Sequence, residues 1–182
     1  MITKGGFLTM GTKRVGLART KALLENLKRE IQLNQATLVG QKAKVLTMSN
    51  GLVLSANDSG AYCLFAAAGA TAVTLPAPQV GLTFTFITTV TATADHVIRT
   101  ATLNTDGFLG GVMSNSDTVT KADSFSADAD GSNDFITLNG GTTGGAAGSR
   151  ITVVCIDGEN WAVSGQLICL ADPATPFGDA QL

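Results

Sequence analysis

In "LTFTFI", residues 82–87, apolar Leu82, Phe84 and Phe86 alternate with Thr83 and Thr85. A period of two sends one row of side chains inward and the other outward, as a half-buried strand requires. Comparable runs follow the same logic: "YCLFA" (62–66), "ATAVTL" (70–75), "HVIRTA" (96–101), "FITL" (135–138), "RITVVCI" (150–156) and "WAVSGQLI" (161–168). All are rich in β-branched or aromatic residues and are separated by Gly, Asn, Asp and Pro. Pro76 and Pro78 close the run ending at Leu75, because proline has no N–H to give a ladder. Asp157-Gly158 is predicted to turn a hairpin, glycine accepting positive φ without steric cost. The pattern predicts a mainly β fold, an antiparallel β-sandwich.

Three stretches break the alternation. Over about 20–33, Leu23, Leu24, Leu27 and Ile31 recur at helical spacing. Thr20 is the expected cap and Asn34 the stop, with Lys21/Glu25 and Glu25/Arg29 four apart on another face. A helix of about 13 residues is marginal alone in water, so its leucine stripe calls for a partner surface. Residues 103–134 have weak periodicity and many turn formers, which predicts a long loop excursion. "GGTTGGAAG" (140–148) reads as a surface loop, either mobile or a close-packed glycine contact, and residues 1–19, with four glycines, as an extended or disordered tail. The expected organisation is an arm over 1–44 and a sandwich body over 45–182.

Charge sharpens that division. The chain of 182 residues is 45% hydrophobic but only 14% charged, so Thr, Ser, Asn and Gly must carry its solubility. Its net charge of −2 is uneven: residues 1–44 hold nine Lys/Arg against two acids, and residues 45–182 hold three against twelve. A basic arm of +7 thus precedes an acidic body of −9. From Lys13 onward the arm has no aromatic residues between its cations, and the body would repel a polyanion, so nucleic acid is the weaker partner and an acidic protein surface the stronger. Lys13, Arg14, Arg19, Lys21, Lys28 and Arg29 are the expected charge contacts, and Leu23, Leu24, Leu27 and Ile31 the expected buried stripe. The acidic neighbour can be another protein or a sister copy's body.

Reactive chemistry is sparse. His96, the single histidine, opens a strand and is expected to be structural. "DADGSND" (128–134) lacks the glycine and glutamate positions of a calcium loop and reads as an acidic turn. The glycine loop lacks the Lys-Ser/Thr of a phosphate loop. Trp161 is expected to anchor the core, and Cys63, Cys155 and Cys169, far apart and odd in number, to be free thiols in a reducing compartment. No catalytic, cofactor or metal residues are predicted. No secretory signal or membrane span is expected either, which places synthesis in the cytoplasm.

"TKALLENLKREIQLNQATLVG", "AAGATAVTLPAPQVGLTFTFI" and "DGENWAVSG" together resemble small structural proteins of cyanophages and related marine tailed phages. The resemblance covers most of residues 19–166. It implies a sandwich with jelly-roll-like winding that acts as a capsid decoration or cement protein in the virion, often as a trimer on the capsid exterior. The major capsid protein and sister subunits would be its partners. A second expectation is a tail or head-fibre component that binds a host surface glycan through 103–134.

Overall fold

The computed structural model describes residues 16–29 and 42–179. The chain divides into two units, Met1–Lys42 and Ala43–Leu182. In the first, residues 16–29 form a helix, α1. It begins before the expected cap: Thr20 lies inside it and its hydroxyl donates to the Gly16 carbonyl at 2.8 Å. That bond to the preceding turn is the usual alternative for a threonine within a helix. Asn34, the expected stop, lies outside the described residues.

The second unit is mainly β, with two sheets sharing one core. One sheet has seven strands and the other five. The first six strands alternate between them. β1 (Val45–Thr47), β3 (Ala61–Phe65) and β5 (Thr83–Thr88) enter the larger sheet, while β2 (Leu52–Val53), β4 (Thr71–Thr74) and β6 (His96–Arg99) enter the smaller. Neighbours within each set run parallel. Next come β7 (Gly107–Ser116), β8 (Ala122–Ser126), β9 (Phe135–Leu138), β10 (Arg150–Cys155), β11 (Asn160–Cys169) and β12 (Phe177–Gly178). The larger sheet is ordered β1-β3-β5-β10-β11-β7-β8 and the smaller β12-β9-β6-β4-β2.

The expected two-sheet β body is present, but its sheets are mixed. Five of the ten pairings among the described residues are parallel, including the long β7–β11 pair. A jelly roll would pair its neighbours antiparallel; here the chain coils from sheet to sheet and returns to each in the same direction. The physical reason lies in connection length. A strand that crosses to the opposite sheet and back gains room to re-enter parallel, whereas a tight hairpin forces antiparallel pairing.

Alternation along the strands builds the core. β3 buries Ala61, Cys63 and Phe65, β5 buries Phe84, Phe86 and Thr88, and β10 buries Ile151, Val153 and Cys155. From the other sheet Val73, Ile98, Ile136 and Leu138 meet them. Trp161 is fully buried, its ring 6.0 Å from that of Phe84, which makes it the expected anchor.

One loop differs from expectation, and a second takes one of its two expected forms. The 103–134 segment holds β7 and β8, so the excursion is a strand pair with short flanking loops. Gly140, Gly144 and Gly145 are close-packed: at Gly145, φ is +92° and a Cβ would stand 2.9 Å from the Gly140 nitrogen. Asn139 fixes this loop, its side-chain oxygen accepting from the amides of Gly141, Thr142 and Thr143 at 2.8–3.1 Å.

Candidate functional site

Seven of the ten expected contact residues, Arg19, Lys21, Leu23, Leu24, Leu27, Lys28 and Arg29, stand on α1. Lys13, Arg14 and Ile31 lie outside the described residues. At about 100° per residue, Leu17, Thr20, Leu24 and Leu27 line one side of the helix with Leu23 beside them, an arc of roughly 120°. Every residue of α1 is exposed, and the leucines stand open at 74% (Leu17), 69% (Leu23), 59% (Leu24) and 52% (Leu27). Lys21 and Lys28 border the stripe on one side and Arg19 lies toward the other. Leu17, at the start of the stripe, was not singled out from the sequence because it was placed in the glycine-rich tail.

The i,i+4 pairs are open as well. Among the described residues the ion pairs are Lys44–Asp58 at 2.6 Å and Lys121 with Asp123 and Asp172 at 3.3 and 3.9 Å, none of them on α1. The helix therefore presents an apolar stripe and four cations whose charge is not consumed by Glu25. Such a surface can bury leucines against an apolar hollow while its rim meets carboxylates.

No known protein family matches the chain, and no curated protein does.

His96 is fully buried and stacks on Phe65, ring centroids 4.5 Å apart and planes 4° from parallel. Burial pulls its pKa below the ordinary value, against the opposing effects of the Ala67 backbone and the Asp95 charge. The three cysteines are buried free thiols. Burial, reinforced by the Asp58 charge, pushes Cys63 up to about 12, and burial raises Cys155 and Cys169 too. A thiol held protonated is a poor nucleophile.

The acidic turn is internally bonded. Asp128 accepts from the Asn133 side-chain amide at 3.2 Å, and Asp130 from the Ser132 amide at 3.1 Å. In the β10–β11 turn Gly158 is not at positive φ. Asp157 holds that turn through its carboxylate, which accepts from the backbone amides of Glu159 at 2.8 Å and Asn160 at 2.5 Å. The Asn160 side chain and these amides keep the Asp157 carboxyl below its usual range. Both acidic turns are thus explained by local structure.

Two surfaces of the body escaped the sequence reading. On the smaller sheet, Val97, Arg99, Leu103, Phe135 and Thr137 line an apolar hollow of about 290 Å³. On the larger sheet, the outward positions carry almost no charge. Register places Leu64, Ile87, Arg150, Gln166 and Met113 in one row across five strands. Arg150 is the single charge in it, and its guanidinium lies 5.9 Å from the Tyr62 ring centroid. Neither surface has a sequence motif, because each is assembled from alternate residues of strands far apart in the chain.

Proposed function

We propose that this chain is a non-enzymatic structural subunit of a phage virion, a capsid decoration protein whose helix docks on an acidic surface of the major capsid protein. The observation that carries this reading is the open leucine stripe of α1 between its cations. Four leucines more than half exposed on a single short helix are costly to leave in water, and a helix of this length draws most of its stability from packing its apolar face. The acidic body, with twelve acids against three cations over 45–182, keeps copies of the protein soluble while the arm engages. Repetition over a lattice would multiply modest single contacts.

The test is co-sedimentation of the full chain with purified capsids that lack it. Leu24→Glu/Leu27→Glu should abolish binding, and raised salt should weaken binding of the natural protein, since the rim contacts are ionic. Full-strength binding by the double variant would overturn the role of the helix. Localisation of a few copies to the tail, in place of many over the shell, would overturn the decoration reading.

A further inference from the structure

We infer that copies of this chain associate through the outer face of the seven-stranded sheet, whatever surface the helix engages. Side chains on that face are exposed or half-buried and largely uncharged. Val45, Met113 and Val154 are exposed at 57%, 52% and 37%, and among them stand hydroxyls such as those of Thr85 and Thr152, 3.1 Å apart. Of the twelve acids in the body, eleven lie outside the strands and Asp123 alone lies within one, on the edge strand β8. Register puts Asp123 opposite Ser114, which is buried, so its side chain is on the inner side of the sheet.

The ion pairs mark the borders of this face. Lys44–Asp58 flanks β1 at one edge of the sheet, and Lys121 with Asp123 and Asp172 flanks β8 at the other. A centre whose single charge is Arg150, between charged flanks, has the anatomy of a protein interface. The same charge map argues for a second copy as the occupant. Two bodies of −9 repel each other through their loops, and this is a broad face along which they can approach without opposing carboxylates.

Area supports the same occupant. Strands about 4.8 Å apart and roughly five residues long at about 3.3 Å each give a face of roughly 500 Å² in projection for a seven-stranded sheet. Covering it on two copies removes about 1,000 Å², the size at which specific interfaces begin. The five-stranded sheet offers a smaller face, indented by the hollow beside Phe135.

Light scattering on the full chain at tens of micromolar should give a multiple of 18.6 kDa. Met113→Glu/Val154→Glu should return it to a single 18.6 kDa species with unchanged circular dichroism, while Val53→Glu, exposed on the other sheet, should leave the oligomer intact. A second measurement needs no variant: peroxide oxidation of Met113 should slow several-fold as the natural protein is concentrated from below micromolar. A monomer at high concentration, or Met113 oxidation independent of concentration, would overturn the inference. Loss of the oligomer in Leu24→Glu/Leu27→Glu but not in Met113→Glu/Val154→Glu would overturn it too, by assigning association to the helix.

Discussion

His96 shows how one side chain can make the whole body sensitive to acid. Its ring lies flat against Phe65 inside the core, where a charged imidazolium would lose its hydration, so the folded protein keeps it neutral. The unfolded chain protonates the same group near pH 6.5 and takes up more protons below that value. Stability should therefore hold above about pH 7 and decline as pH falls through about 6.5, in urea titrations followed by tryptophan fluorescence. His96→Leu should flatten that decline. Asp58 acts in a lower window: the Lys44 ammonium, and then Ser55, lower its pKa from 3.8 to about 2, so its contribution is present above about pH 4 and lost toward pH 2. The buried thiols should resist a thiol reagent in the native protein and react fully once it unfolds. Core truncation is the most costly change at this scale, and Trp161→Ala should lose roughly 3–5 kcal/mol in urea titrations followed by circular dichroism. The structural roles of His96 and Trp161 were legible in the sequence, since each sits in a strand-like run. The stacking partner of His96 was not, because Phe65 lies in another sheet.

At the scale of elements, legibility followed the strength of the alternation. β5 is plain in the sequence because Phe84 and Phe86 alternate with Thr83 and Thr85, although Ile87 then faces outward and Thr88 inward. β7 is hidden: Gly107, Gly110 and Gly111 interrupt the pattern, and at the inward position Ser114 a serine is fully buried. Close packing explains those glycines. At Gly110 φ is +98° and a Cβ would stand 2.5 Å from the Val163 carbonyl oxygen, so the sequence yields side-chain signal to let β11 approach. Gly110→Ala should cost roughly 1–3 kcal/mol, measured by denaturant titration. The helix was legible through its leucines and cations, while its start was obscured by a threonine that resembles a cap and bonds backward instead. Because α1 buries none of its residues, its amides over 16–29 should exchange hydrogen far faster than those of β5 or β10.

For the molecule as a whole, the charge division read from the sequence bears directly on stability. Removing residues 1–42 should leave the midpoint of thermal unfolding nearly unchanged, because the core is drawn from residues 48–177. On the proposed docking to the capsid, it should also remove the salt-sensitive part of that binding. Parallel pairing could not be read from the pattern, since period-two alternation looks the same in either strand direction. The outer face, with Arg150 almost its only charge, was equally hidden, being a property of register and not of any one segment.

The order of the larger sheet also bears on synthesis. β5 and β7 are separated in space by β10 and β11, which leave the ribosome long after both. Until residue 169 has emerged, the growing chain holds two partial sheets whose inner edges have nothing to pair with, and the last-made hairpin closes the gap as a keystone closes an arch. A message truncated before that hairpin would yield a product with bare strand edges, prone to pair with its neighbours, so the body is completed as a unit by its final third.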